Sequence, residues 1–179
     1  MNVVKKEDIY TTENIYALPD RERAELIDGQ IYYMAPPNTR HQMLIMELSY
    51  QIKDYIKHNN GECKVLPAPF AVFLNDDDKN YVEPDISVIC DQSKLDDKGC
   101  HGAPDWIIEI VSPGSKRMDY LIKLFKYRNA GVKEYWIVDS EKNRITVYDF
   151  VHDTIEEYSR GDDIPVGIYE DFLVKILEM

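Results

Sequence analysis

The spacing of apolar and polar positions lays out most of the elements before any chemistry is considered. Two short apolar runs, Ala24 to Ile27 and Gln30 to Met34, flank Asp28-Gly29, and an Asp-Gly pair in that position predicts a hairpin. Pro36-Pro37-Asn38-Thr39 breaks the chain and offers a cap. Leu44, Ile45, Leu48, Ile52, Tyr55 and Ile56 then recur at helical spacing, giving an amphipathic helix that Gly61 should end. Cys63 to Leu74 reads as extended, but Pro67 and Pro69 remove ladder donors, so part of it should be irregular or at a sheet edge. Asn75 to Asn80 is an acidic loop tip. Pro84 to Cys90 and Asp105 to Val111 read as strands, the latter apolar on both faces and therefore buried on both. Ser112-Pro113-Gly114-Ser115 ends that strand and can cap a second helix, with Met118, Leu121, Ile122 and Phe125 at i, i+3, i+4 and i+7 as its apolar face and Gly131 closing it. Glu134 to Asp139 is a further strand, Arg144 to Phe150 and Thr154 to Tyr158 an antiparallel pair, and the tail from Ile168 to Met179 is apolar enough to dock.

The central order is helix, strand, strand, strand, helix, strand, which predicts an α/β protein with a mixed sheet and helices packed on it. A length of 179 residues fits one domain spanning 1–179, with residues 1–20 as an N-terminal arm holding at most a helical turn. Hydrophobic residues make up 44% and charged residues 30%, as expected for a globular chain, and no apolar run is long enough to cross a bilayer, so no membrane partner is expected. Met1 to Tyr10 lacks the apolar core of a signal peptide. Cys63, Cys90 and Cys100 are odd in number, far apart, and without CxxC spacing, which argues against structural zinc and for reduced thiols in a cytoplasmic protein.

Net charge is −12, a poor match for a phosphate backbone. Basic residues nevertheless concentrate between Ser112 and Lys133, as Lys116, Arg117, Lys123, Lys126, Arg128 and Lys133 against the lone acid Asp119. Such a run is more often a solvated helix face than a binding site. The carboxylate just before it changes that weighting. Glu109 lies between Trp106-Ile107-Ile108 and Ile110-Val111, where an ionised side chain is costly unless paired or bound to a metal. Asp85, at the start of the preceding strand, could share one divalent ion with it. Mg²⁺ accepts one or two carboxylates, retains waters and takes phosphate oxygens from substrate. Alone, Glu109 would more simply form a buried salt bridge and Asp85 a turn.

Pro84-Asp85 followed by Glu109-Ile110-Val111 resembles the PD-(D/E)XK motif of restriction-endonuclease-like proteins. The chain is more closely similar to the Uma-type group of endonucleases, through the ordered set Glu25 to Gly29, Pro36-Pro37 with His41, Glu83 to Asp85, Ile108 to Pro113, Lys123 with Tyr127, and Gly131 to Asp139. The resemblance covers about Glu25 to Asp139 and runs on into the following hairpin. It implies a restriction-endonuclease-like mixed central sheet flanked by helices, with added antiparallel hairpins. It also implies a Mg²⁺- or Mn²⁺-dependent endonuclease acting on nucleic acid, with DNA the default. Asp85 and Glu109 would hold the ion, with the Ile110 carbonyl as a further ligand. One position departs from the motif: Val111 stands where the motif ends in lysine. The resemblance moves that lysine to the next helix, at Lys123. Helical spacing does not choose between Lys123 and Lys126, since both lie off the apolar face set by Met118, Leu121, Ile122 and Phe125. The resemblance also puts Glu25 near the metal or its waters, against a cross-strand ion pair, and gives His41 a contact with the scissile phosphate or a metal-bound water, against a capping or exposed role. Tyr127, one turn after Lys123, either supports it or is core. Trp106 and Trp136 read as core and Asp139 as a turn residue.

Two other readings compete. A catalytically inactive module of the same fold, binding nucleic acid or protein, would fit the acidic charge. An assembly subunit would use the 13 tyrosines as a sticky surface, although tyrosine also fills cores. The sequence allows a homodimer under any reading and does not show one.

Overall fold

The computed structural model describes residues 9–75, 77–112, 114–115 and 117–177. Residues 1–8 of the expected arm, Asp76 of the acidic tip, Pro113, Lys116 and the last two residues lie outside that range. In chain order the elements are α1 (Thr12–Tyr16), β1 (Ala24–Ile27), β2 (Gln30–Tyr33), α2 (Thr39–His58), β3 (Lys64–Pro67), β4 (Val72–Phe73), β5 (Ile86–Ile89), β6 (Cys100–His101), β7 (Trp106–Ile110), a π-helical turn (Met118–Lys123), α3 (Leu124–Ala130), β8 (Glu134–Asp139), β9 (Arg144–Asp149), β10 (Thr154–Ser159), β11 (Asp163–Pro165) and β12 (Leu173–Lys175). Six strands form the central sheet in the order β10-β9-β8-β7-β5-β3, parallel only between β7 and β8. Three two-stranded pairs, β1-β2, β11-β12 and β4-β6, are added to it. The fold is the mixed α/β sheet with antiparallel hairpins that the pattern predicts. Among the described residues no helix is long and apolar enough to cross a membrane.

Each face of the sheet has its own core. On one, α2 lays Leu44, Ile45, Leu48, Ile52 and Ile56 against Ile86, Val88, Trp106, Ile108, Trp136 and Val138. Each such side chain removed from water contributes about 1.5–3 kcal/mol. Trp106 and Trp136 meet edge to face at 4.8 Å, core residues as expected. The other face carries Ile89, Ile107, Val111, Tyr135 and Ile137 under Tyr127 and Val132. Glu109 alternates onto this second face, between Ile107 and Val111.

Local chemistry explains the boundaries. Asp28 (φ 51°) and Gly29 (φ 75°) both take positive φ, as a two-residue hairpin turn requires. The Asn38 side chain caps α2 by accepting from His41 N at 2.9 Å. At the other end the left-handed residue is Asn60 (φ 52°), not Gly61, whose N–H returns to the Ile56 carbonyl at 2.8 Å. Gly131 (φ 96°) closes α3 as expected. The β3 strand lies at the sheet edge, where its proline does least harm.

Two expectations are corrected. The thiols are not all reduced: Cys63 and Cys90 form a disulfide, and only Cys100 is a free thiol. Lys64 pairs with Ile89 across β3 and β5, so the flanking cysteines face each other, a pairing their separation of 27 residues conceals. The thiol argument for a cytoplasmic location falls with it. The second correction concerns the helix after β7. Leu121 and Phe125 are 62% and 64% exposed, while Asp119, Lys123 and Tyr127 are buried. Met118 and Ile122 still pack against the core, but the most deeply buried positions are Asp119, Lys123 and Tyr127.

Candidate active site

The register Ile86↔Ile108 between antiparallel β5 and β7 carries on to set Asp85 opposite Glu109, on the same face of the sheet. The Asp85 N–H points to Glu109 Oε2 at 3.4 Å, and Asp85 Oδ2 accepts from the Ile110 N–H at 2.7 Å. The two acids lie on the floor of a pocket of about 710 Å³, which Glu25, His41, Ile110, Asp119 and Lys123 also line.

Lys123 reaches this floor through the π-helical turn. A widened turn re-aims side chains and disturbs the backbone ladder; here the Asp119 carbonyl is taken up by the Tyr135 hydroxyl at 3.1 Å. Asp119, Lys123 and Tyr127, spaced by four, then face the sheet together. Lys123 Nζ lies 2.9 Å from Glu109 Oε1, 2.9 Å from Glu25 Oε1 and 3.7 Å from Asp119 Oδ1. The Tyr127 hydroxyl donates to Glu109 Oε1 at 2.7 Å, so this tyrosine is both core and support. Lys126, in contrast, points away and pairs with Asp28.

Glu25 comes from outside the central sheet. Its hairpin docks along residues 79–83 through Leu26 N to Tyr81 O (2.7 Å) and Gly29 N to Lys79 O (3.0 Å). Glu25 Oε1 accepts from the Glu83 N–H at 3.0 Å as well as meeting Lys123. Its ion pair therefore runs to the helix rather than across its own hairpin. His41, in the first turn of α2, sets Nε2 3.1 Å from Asp85 Oδ2.

Burial, the largest influence, pushes the Glu109 carboxyl well above the usual carboxylate range; Lys123 pulls it back, and the charges of Asp85, Asp119 and Glu25 push it up again. Burial likewise raises Asp119 against the pull of Lys123 and the Ser115 hydroxyl. For Lys123 burial acts downward, but the charges of Glu109, Glu25 and Asp119 outweigh it and hold the amine well above its ordinary value. Lys123 is therefore an ammonium at neutral pH. His41 is drawn down by burial and raised more by its hydrogen bond and charge contact with Asp85, with the Ile110 carbonyl beside it; the net shift is upward.

The pocket thus brings together all five side chains expected from the sequence, with the Ile110 backbone. Asp119 was not expected. It is 3% exposed and lines the same floor. Its signal was the four-residue spacing to Lys123 and Tyr127, hidden because it stands as the single acid of a basic run. Within the run, Lys126 pairs with Asp28, Arg128 with Asp153 and Lys133 with Asp105. Asp139 is a fully buried strand end whose Oδ1 accepts from the Lys142 N–H at 3.2 Å, in keeping with a turn role.

Whether a divalent ion fits can be judged from the charge. Glu25, Asp85, Glu109 and Asp119 face one lysine and one histidine, and burial with mutual repulsion disfavours the charged forms of Glu109 and Asp119, a penalty that a hard cation would relieve. Among the described residues no three His, Cys, Asp or Glu side chains form a group able to hold an ion unaided. Two carboxylates, a carbonyl and waters suffice for Mg²⁺, so the donor set fits.

A strand-borne carboxylate pair, a helix-borne lysine and a mixed sheet define a restriction-endonuclease-like protein. The model of the Uma2 family, described as "Putative restriction endonuclease", matches residues 12–167, and the chain belongs to that family. Over 129 residues it is 27% identical to a Synechocystis sp. protein described as "Uncharacterized protein slr1290", a match covering 72% of this chain and 66% of that protein's length. The crystal structure of a protein from Anabaena variabilis, described as "a putative nuclease belonging to DUF820", superposes with a TM-score of 0.71 at 21% identity, over 88% of this chain and 89% of the other. That likeness establishes the shared fold.

Proposed function

We propose that the protein is a metal-dependent endonuclease that hydrolyses phosphodiester bonds of nucleic acid, DNA by preference. The observation that carries this reading is the meeting of Asp85 and Glu109, from neighbouring strands, at a pocket floor with the Lys123 ammonium 2.9 Å from Glu109. Asp85, Glu109 and the Ile110 carbonyl would hold Mg²⁺ or Mn²⁺; when bound, the ion polarises a phosphoryl oxygen and lowers the pKa of water. Lys123 would orient or activate the attacking water and offset charge on the phosphate. Glu25 and Asp119 hold the ammonium in place, and Tyr127 fixes the Glu109 carboxylate. His41 orients Asp85 and can donate to a phosphate oxygen entering beside it.

Divalent-dependent cleavage should fall by at least about a thousandfold in Asp85→Ala and in Glu109→Ala, with thermal unfolding still cooperative. Activity surviving equally in both variants would falsify the assignment. The acidic net charge keeps the non-cutting module in view. Calorimetry separates the two, since wild-type protein that takes up neither Mg²⁺ nor Mn²⁺ would favour that module.

A further inference from the structure

The walls of the pocket bear on what enters it. Tyr32 on β2 pairs with Glu25, so its ring shares a face with the Glu25 carboxylate. Met34 falls on the same side two residues on, its N–H still paired to the Arg23 carbonyl at 2.9 Å, and Pro36 and Pro37 continue the rim. Pro69 and Met118 line the pocket from other segments. An aromatic and apolar wall therefore stands beside the acidic floor. The floor is recessed, with the Asp85 and Glu109 side chains 13% and 5% exposed. On the hairpin side, Arg23 is paired with Glu83, and Lys126 of α3 with Asp28. Duplex binding draws its affinity from neutralising many backbone phosphates. Single strands add to their phosphate contacts the stacking of unpaired bases on aromatic side chains.

Resting on the nuclease reading, we infer that the pocket takes a single-stranded stretch of polynucleotide, the base next to the scissile phosphate lying against Tyr32 and Met34. A lone backbone can descend to the recessed carboxylates, whereas a paired strand is held outside by its partner. DNA and RNA strands share this chemistry.

The test is fluorescence anisotropy with Ca²⁺ in place of Mg²⁺, using labelled oligodeoxythymidine, labelled oligouridine and a duplex of equal length. At least one single strand should bind about tenfold or more tightly than the duplex, and the two arms show which sugar is preferred. Tyr32→Leu should weaken that binding by about 5- to 100-fold and leave the duplex unchanged. Because Tyr32 also packs on the core, Met34→Asp provides a second variant, placing a carboxylate on the rim with the same expected direction. Duplex bound as tightly as either strand, or both variants folding and binding like wild type, would overturn the inference. Cleavage assays with Mn²⁺ separate this from the function itself. Single-strand binding without cleavage removes the nuclease reading and keeps the inference; cleavage of duplex without preference does the reverse.

Discussion

Lys123 is where the electrostatics of the site converge. It is nearly sealed from solvent and touches Glu25, Glu109 and Asp119, so its removal leaves buried carboxylates without their cation. Breaking such a cluster on one side costs about 3–5 kcal/mol. Lys123→Met should lose about that much in denaturant unfolding of metal-free protein, along with nearly all cleavage. Lys126→Ala removes only a partly exposed pair with Asp28 and should cost less than about 1 kcal/mol, with cleavage retained. Because the Lys123 pKa is raised on folding, its stabilisation is complete at neutral pH and is lost only as pH climbs through that raised value. Glu109 was legible from the sequence because one acid in a doubly apolar strand demands an explanation. Asp119 was not, because in sequence it is a single acid in a basic run, whereas folding sets it beside Lys123 in a pocket shared with Glu25, Asp85 and Glu109.

At the scale of elements, the hairpin and strands were legible because turn residues and apolar runs agree with one another. The helix after β7 was read half rightly: Met118 and Ile122 pack on the core as expected, while Leu121 and Phe125 do not. Periodicity assumes that the apolar stripe faces inward. Here a π-helical turn and a polar site beneath it turn Asp119, Lys123 and Tyr127 in and leave Leu121 and Phe125 outside. The Cys63–Cys90 bond was invisible for a different reason: only the register of β3 against β5 makes them neighbours. The β9–β10 turn offers a pH test. Asp149 accepts from the N–H groups of Val151 and His152, each at 2.9 Å, and from the His152 ring. Burial acts to raise its pKa, but these bonds outweigh it and the net shift is downward. A depressed carboxylate stabilises the fold above its unfolded pKa and loses that contribution as pH falls through the folded value. Asp149→Asn should therefore lie about 1 kcal/mol or less below wild type at pH 7, and the gap should close in acid as unfolding is followed down through the carboxylate range.

For the whole molecule, two linkages follow. An ion that binds the folded site and not the open chain raises the melting temperature with its concentration, so Mn²⁺ should stabilise wild type and leave Asp85→Asn unmoved. The disulfide closes a loop of 27 residues and is worth about 3–4 kcal/mol on the loop-entropy account. The double change Cys63→Ser with Cys90→Ser should lower stability by that order. It should leave kcat unchanged, since the cysteines lie at the opposite end of the β3–β5 pair from Asp85. The docking of the β1–β2 hairpin has a longer reach. Asp85 and Glu109 stand on neighbouring strands of the central sheet, whereas Tyr32, Met34 and the prolines after it, together with Glu25, come from an appended hairpin fastened at residues 79–83. One hairpin thus ties the wall to the floor through Glu25, and swapping only the 32–37 segment between relatives, with Glu25 kept, should exchange substrate choice while the reaction itself stays put.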